Sequence, residues 1–179
     1  MIDPAVGALL SGAFALLFLG AALHKWRDLA GFAEAFRAYG VLPAAWGWMA
    51  RLLPVLELLV GAGLLAAATR ALAATGGAVL LAVYAAAIAV NLSRGRRDLS
   101  CGCGGPNDKR PISPWMVWRN LALAALLAVT WLPWTARQMD AADALTVGAG
   151  TAVAAFLYLS LDALLGRTAR QGARLRASS

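Results

Sequence analysis

The residues best suited to chemistry in this chain are its only two cysteines, Cys101 and Cys103. They lie in a polar, glycine-rich stretch, residues 93–114, within an otherwise apolar sequence. A single residue separates them, so a disulfide between them would close a very small ring. Departures from preferred disulfide geometry store strain and make the bond easier to reduce. The spacing therefore favours a redox-active dithiol over a structural disulfide, which in so short a loop would stabilise the fold little.

Basic residues surround both cysteines, and they favour the reactive thiolate form. Five of them lie within nine residues of one cysteine or the other: Arg94, Arg96, Arg97, Lys109 and Arg110. The helix that follows the loop also points the positive end of its dipole toward it. Gly102 lets the backbone turn and a partner approach closely. We assign Cys101 and Cys103 as catalytic and Arg94, Arg96, Gly102 and Asn91 as supporting residues.

Two other interpretations of the cysteines stay open. A zinc site would need further ligands, and only His24 and acidic residues such as Asp98 and Asp108 could supply them. Alternatively, the cysteines are inert loop residues. We place both below the redox interpretation and predict no metal site.

The composition predicts an all-α, polytopic membrane protein. Of 179 residues, 61% are hydrophobic and only 14% are charged, and mean hydropathy is +0.68. Soluble domains carry about a quarter charged residues. In lipid, helices satisfy their own backbone hydrogen bonds. The net charge of +7 lies beside apolar spans without interleaved aromatic residues, which argues for a lipid bilayer and against nucleic acid as the partner.

The apolar runs predict five spans in one transmembrane domain, residues 1–166, followed by a loose basic tail, 167–179. Residues 25–39 are too polar to span and predict an amphipathic helix in the membrane interface. Ser113 as N-cap and Pro114 at the first position predict where the fourth span begins. The cysteine loop is residues 93–113. The spans cover about 5–23, 46–68, 71–92, 114–134 and 145–165.

Charge bias predicts the orientation of the spans. Segments 24–51, 94–119 and 167–179 hold fourteen of the sixteen lysines and arginines. The positive-inside rule places these segments in the cytoplasm and the N-terminus outside. The prediction is a multi-pass protein of the cell (inner or plasma) membrane whose cysteine loop and C-terminus are cytoplasmic.

Polar residues within or beside the spans form a second set of candidates, because ionisable groups in a membrane are expensive and often functional. Glu57 is the deepest of them. The alternative is a structural role, for example a pair between Arg119 and either Glu57 or Asp162. The full set is Glu57, Arg119, Asn120, Asp162 and His24.

Several short motifs resemble the MauE family of methylamine-utilisation proteins, within the DoxX-like membrane group. They are H-K-W-R-D, A-Y-G-V-L-P, P-V-L-E, N-L-S-R-G-R, C-G-C-G-G and I-S-P-W-M-V-W-R-N, spread over roughly residues 1–135. The resemblance implies a four-helix transmembrane core. It also implies a role, with a thioredoxin-like oxidoreductase, in maturing the disulfide-containing small subunit of methylamine dehydrogenase. By that resemblance Cys101 and Cys103 are the redox pair.

The leading hypothesis is therefore thiol–disulfide exchange with a thioredoxin-like partner that supports maturation of an exported client protein. One thiolate attacks a partner disulfide and the other cysteine resolves the mixed disulfide. Disulfides form outside the cytoplasm, whereas charge bias places this dithiol inside. A quinone or a partner must then carry electrons across the membrane, unless the topology is inverted. The rival hypotheses are a small-solute or proton pathway around Glu57 and a non-catalytic scaffold for the oxidoreductase.

Overall fold

The computed structural model describes residues 1–41, 43–97, 99 and 111–177, and all their side chains except those at 44, 162, 163 and 165–177. The regular structure in this part of the chain is helical, apart from isolated bridge residues such as Ile2 and Trp134, which pair with each other. Short 3₁₀ helices occupy Ala44–Trp46 and Val129–Trp131. The predicted all-α class is confirmed. The α-helices are α1 (Pro4–Arg27), α2 (Leu29–Tyr39), α3 (Met49–Leu65), α4 (Arg70–Ser93), α5 (Pro114–Ala128) and α6 (Ala141–Ala177).

Helices α1, α3, α4 and α5 pack around one apolar core. Helix α1 packs along α3, α3 along α4 and α4 along α5. The core centres on buried side chains from all four helices: Phe14, Phe18, Leu64, Leu81 and Leu127. Helix α6 lies outside this group and packs mainly against α1. We call the end of the bundle where α1 and α4 finish and α3 and α5 begin the loop end, because the cysteine loop joins α4 to α5 there.

Among the described residues, three helical segments are long and apolar enough to cross a membrane: Pro4–Arg27, Arg70–Ser93 and Ala141–Leu161. Their length and composition support the predicted membrane protein. Helices α3 and α5 have 17 and 15 residues, so each is shorter than a typical crossing of ~20 residues. The layout of five crossings and the DoxX-like core therefore stay predictions. Helix α6 continues to Ala177, into the segment for which the sequence predicts a loose tail.

A helix is present in the segment 25–39, as predicted, but it begins later than the polar pattern suggests, and its position in the membrane interface stays a prediction. Helix α1 continues as far as Arg27, and the Asp28 carboxylate then caps α2 by accepting a 2.9 Å hydrogen bond from the Gly31 N–H. Phe32 and Phe36 pack against the core rather than lying free of it. The start of α5 is as predicted, with Ser113 at the N-cap and Pro114 in the first turn. The interruption of the helix at Asp28 therefore determines which side chains of α1 and α2 face the bundle interior.

Polar contacts at the opposite end tie the N-terminus to the start of α6. Arg137 donates to Asp3 at 3.0 and 3.2 Å and to Asp143 at 2.6 and 2.9 Å. Asp3 also accepts from the Ala5 N–H at 2.8 Å and so caps α1. The hydrogen bond from Arg137 holds the pKa of the Asp3 carboxyl below its ordinary value. The carboxylate therefore keeps its charge, and the cap its acceptor, to a more acidic pH than an ordinary aspartate would.

Replacing Gly61 with alanine should destabilise the contact between α3 and α1. A Cβ atom there would lie 2.8 Å from Leu19 Cγ and 3.2 Å from the Ala15 carbonyl oxygen, which cannot move aside easily. Overpacking of this kind costs about 1–3 kcal/mol. Thermal unfolding in detergent measures it. Gly20→Ala on α1 is the matched control, because nothing lies within 4 Å of its Cβ position; equal stability of the two variants would contradict the close packing.

Candidate functional site

A buried ion pair between α1 and α3 lies near the loop end of the bundle. The Lys25 ammonium donates to both Glu57 carboxylate oxygens, at 2.7 and 2.9 Å. The Tyr84 hydroxyl on α4 donates to Glu57 Oε1 at 2.8 Å. Only 4% of the Lys25 surface and 1% of the Glu57 surface is exposed. Three helices thus meet at one carboxylate, and this corrects the pairing of Glu57 with Arg119 that the sequence suggested.

Sequence reasoning missed Lys25 and Tyr84 at this site. Lys25 follows an apolar run and so resembles the lysines and arginines that flank membrane spans and set their orientation. The side chains of such residues usually extend toward the membrane–water interface. The sequence signal for a buried Lys25 is its helical spacing, because Phe18 and Ala22 lie seven and three residues earlier on the same face of the helix. These two residues line the buried face of α1, and Lys25 continues the same face. A lysine on the buried face of a helix requires an acidic partner, and Glu57 is the deepest one in the sequence.

A cavity of about 300 Å³ opens beside this ion pair. Its walls come from the end of α1, one face of α2, the beginning of α3 and the second half of α4. The lining is apolar apart from Lys25 and two tyrosines, Tyr39 and Tyr84. The Lys25 Nζ atom lies 5.3 Å from the centre of the Phe32 ring and 5.6 Å from that of Tyr84, so aromatic faces help to accommodate its charge.

The end of α4 is closed by the sequence Arg94-Gly95-Arg96. Gly95 has a φ of 73°, which allows its N–H to reach the Leu92 carbonyl and the Arg96 N–H to reach the Asn91 carbonyl, both at 3.0 Å. This is the Schellman arrangement, and it favours glycine because of the left-handed backbone. The turn also directs Arg94 and Arg96 toward α2. The R-G-R motif therefore has a structural explanation beyond its charge.

Arg96 joins α4 to the C-terminus of α2. Its guanidinium donates to the carbonyls of Ala38 at 2.7 Å and Tyr39 at 3.3 Å, and to the buried Asn91 side chain at 3.2 Å. Arg94 donates to the Gly40 carbonyl at 3.2 Å. The last carbonyls of a helix lack partners within the helix and carry its negative dipole end, so a cation there is favourable. The predicted effect of these arginines on the thiols stays a prediction.

Replacing Arg96 with alanine should loosen the last turn of α2. Besides the bond to Asn91, the variant loses the two exposed hydrogen bonds to α2, which should cost about 1 kcal/mol at the end of α2, or roughly fivefold faster amide exchange there. Hydrogen–deuterium exchange with mass spectrometry measures this. Arg97→Ala is the matched control, because Arg97 makes no hydrogen bond to α2 in the described structure. Similar exchange in both variants would contradict a specific role for Arg96.

The two described ends of the cysteine loop are held together. The Ile112 N–H donates to the Leu99 carbonyl at 3.0 Å. Ile112 is buried in a cluster with Ile88 and Met116, and Leu99 and Tyr39 pack against the same cluster. Tyr39 and Ile88 also line the cavity beside the ion pair. The loop is therefore anchored on the wall of this cavity.

The other predicted site residues fall into three groups. Cys101, Gly102 and Cys103 lie outside the described residues, and so does the side chain of Asp162 on α6. His24 is exposed next to Lys25, on the outer face of α1. Asn120 is buried and Arg119 half-buried on α5. The structure thus brings Asn91 and Arg96 together and places Glu57 with a different partner.

Comparison with known proteins identifies the family. The family model described as "Methylamine utilisation protein MauE" matches residues 3–133. The chain belongs to the MauE family. It is 41% identical to the methylamine utilization protein MauE of Paracoccus denitrificans over 178 residues, which cover 97% of this chain and 94% of the relative. It is 40% identical to that of Paracoccus versutus over 94% of this chain and 91% of the relative.

A more distant member gives the same result. The methylamine utilization protein MauE of Methylophilus methylotrophus is 35% identical over 92% of this chain and 88% of the relative. No solved structure matches the chain. The MauE match, residues 3–133, includes the ion pair, the cavity and both ends of the cysteine loop. Helix α6 lies beyond that match but within the longer alignments to the relatives.

Proposed function

We propose that this MauE-family protein uses Cys101 and Cys103 for thiol–disulfide exchange in the maturation of methylamine dehydrogenase, whose small subunit is the disulfide-containing client. The observation that carries the proposal is similarity along nearly the whole chain to proteins of methylamine utilization. The anchoring of the cysteine loop supports it. Leu99 and Ile112, which flank the cysteines in the sequence, are joined by a hydrogen bond, so fewer residues lose conformational freedom when a partner binds the loop.

The exchange needs no group other than the two cysteines and a partner's cysteine pair. A thiolate attacks one sulfur of a disulfide, a mixed disulfide forms, and the other sulfur of the attacked disulfide leaves as a thiolate. The second thiol of the attacking pair then displaces the mixed disulfide and forms its own intramolecular disulfide. The steps are reversible, so the relative reduction potentials set their direction. For net disulfide formation in the exported client, electrons pass from the client to the Cys101–Cys103 disulfide, and with the cysteine loop on the cytoplasmic side the thioredoxin-like partner or a quinone has to carry them across the membrane.

The proposed orientation places the loop end of the bundle in the cytoplasm and the N-terminus outside the cell membrane. The described helices alternate in direction, so the basic segments around Lys25 and Arg96 lie at one end and Asp3 and Arg137 at the other. Such a charge difference is the pattern that the positive-inside rule describes. A membrane-impermeant maleimide should therefore leave both cysteines unmodified in intact cells and label them after lysis; labelling before lysis would reverse the orientation.

Trapping of mixed disulfides tests the exchange itself. A variant with one cysteine changed to serine cannot resolve the intermediate, so the partner should stay covalently attached until a reductant is added. Each single variant, Cys101→Ser and Cys103→Ser, is purified under thiol-blocking conditions, and mass spectrometry identifies attached proteins. A thioredoxin-like protein on one variant supports the proposal and shows which cysteine attacks. No adduct on either variant, in cells that are making methylamine dehydrogenase, would contradict it.

A further inference from the structure

We propose that the cavity beside Lys25 binds the head group of a lipid-soluble quinone. The cavity has about 300 Å³, which is at the small end of the roughly 300–1,000 Å³ range of ligand pockets. A single-ring head with the start of its tail matches that size better than a whole lipid does. The lining of apolar and aromatic side chains with a few convergent polar groups is typical of small-molecule sites.

The opening of the cavity indicates where its ligand comes from. Its exposed rim is formed by Val41 and, on α4, by Val83, Ala86 and Val90. All four are apolar, and α4 is one of the segments long and apolar enough to cross a membrane. The outward face of such a helix contacts lipid. The ligand is therefore one that partitions into the bilayer.

The ion pair selects the chemistry of the ligand head. Lys25 and Glu57 neutralise each other, so neither an anion nor a cation gains from binding beside them. An ammonium has three donors, and Glu57 accepts two of them. The third has no acceptor in the described part of the chain. A neutral ligand with a carbonyl oxygen would supply one, and a flat ring would pack against the aromatic faces of Phe32 and Tyr84.

A bound acyl chain is the main competitor, and the polar groups argue against it. A hydrocarbon chain would leave the third Lys25 donor without a partner, in a protein interior where each unmade hydrogen bond is unfavourable. An acyl chain would also not interact with the polar groups of the buried ion pair. Apolar residues could replace that pair with little loss of stability, so an apolar ligand gives no reason for the pair to be there. A quinone satisfies both the donor and the apolar walls.

The role of the quinone site follows from the proposed thiol–disulfide exchange and rests on it. Oxidation of the Cys101–Cys103 dithiol forms one S–S bond and releases two electrons and two protons. A quinone that is reduced to the quinol takes up both. Tyr39 and Ile88 line the cavity on one side and pack with the Leu99 and Ile112 anchors on the other, so the cysteine loop is fastened next to the quinone site.

Photolabelling of the full chain in lipid nanodiscs tests the site. An azido derivative of decylubiquinone should label peptides of α2 and α4, and unmodified decylubiquinone should compete in a saturable way. Ala87→Phe fills the cavity from α4, and Val83→Trp blocks its rim, so each should lower quinone affinity roughly tenfold or more. Ala82→Phe is the matched control on an exposed face of α4 outside the cavity, and it should bind as the unchanged protein does.

Unsaturable labelling, or equal labelling of the rim variant Val83→Trp and the Ala82→Phe control, would overturn the proposal. Displacement of the probe by phospholipid instead of decylubiquinone would assign the cavity to a lipid and would also overturn it. The double variant Cys101→Ser/Cys103→Ser separates the two proposals. It should bind decylubiquinone with unchanged affinity, so a failure of the exchange chemistry leaves quinone binding intact and the reverse failure is equally visible.

Discussion

The variant Lys25→Met should lose about 3–5 kcal/mol of stability, because it leaves the Glu57 carboxylate buried without its counter-charge. The hydrogen bond from Tyr84 stays, but it cannot replace a cation that donates twice at 2.7 and 2.9 Å. The reverse change, Glu57→Gln, should be similarly harmful, because it leaves an ammonium that is 96% buried without an anion. Equilibrium unfolding in mixed micelles with increasing denaturing detergent measures both losses.

The double variant Lys25→Met/Glu57→Gln should recover most of that stability. Neither charge is then buried, the introduced amide still accepts the Tyr84 hydroxyl, and methionine fills the space of the lysine stem. Replacement of a whole buried pair is often neutral, whereas removal of one member is strongly destabilising. If the double variant is as unstable as the singles, the loss does not come from an unpaired charge. His24→Gln, on the exposed face beside Lys25, is the matched control and should change nothing.

The same variants separate the rival functions of Glu57. A proton or solute pathway needs the Glu57 carboxyl group itself, so the stable double variant would be inactive. If the pair serves to join α1, α3 and α4, the double variant keeps client maturation at the level that its stability allows. The three hydrogen bonds on Glu57 favour this structural role over a pathway. Lys25 donates two of them and Tyr84 the third, so the carboxylate is held between these two side chains. Under the quinone proposal, the double variant also binds decylubiquinone more weakly, since the Lys25 donor is lost.

Local patterns predicted the helical fold well, because each pattern acts over a few residues. Ser113 and Pro114 mark the start of α5, and the apolar runs locate the five longer helices to within a few residues, except at the C-termini of α5 and α6. Such signals depend on backbone hydrogen bonding and on the chemistry of single side chains. The apolar runs did not resolve the shortness of α3 and α5, because apolar residues continue past the ends of both helices.

Long-range pairing was harder to predict than the helices. The sequence predicts Glu57 as a deep candidate functional residue but does not identify its partner, Lys25, which lies 32 residues earlier in the sequence. Which residue pairs with Glu57 depends on how far α1 continues before Asp28 interrupts it. That length places Lys25 on α1 and determines which side of the helix it faces. Likewise, Arg96 was assigned to the cysteines because of its place in the sequence. Its guanidinium also bonds to α2, 58 residues earlier, through a turn that Gly95 permits.

The double variant Cys101→Ser/Cys103→Ser should abolish maturation of methylamine dehydrogenase while leaving the membrane protein folded. Serine is close to cysteine in size but does not form disulfides, so exchange stops at its first step. Amine-dependent growth and dehydrogenase activity should fall to the level of a strain without the gene. Unfolding in detergent should be unchanged, because the partly buried anchor Leu99 and the buried anchor Ile112 are not substituted.

Each single cysteine variant should fail as completely as the double, because a dithiol exchange requires both an attacking and a resolving sulfur. That equality distinguishes redox chemistry from a scaffold, in which loss of both groups is tolerated. Ser100→Ala is the matched control: it changes the residue next to Cys101 without removing a thiol and should leave maturation unaffected. Normal dehydrogenase activity in the double serine variant would exclude the exchange mechanism and leave the loop's anchored position, rather than its sulfur, as the feature to explain.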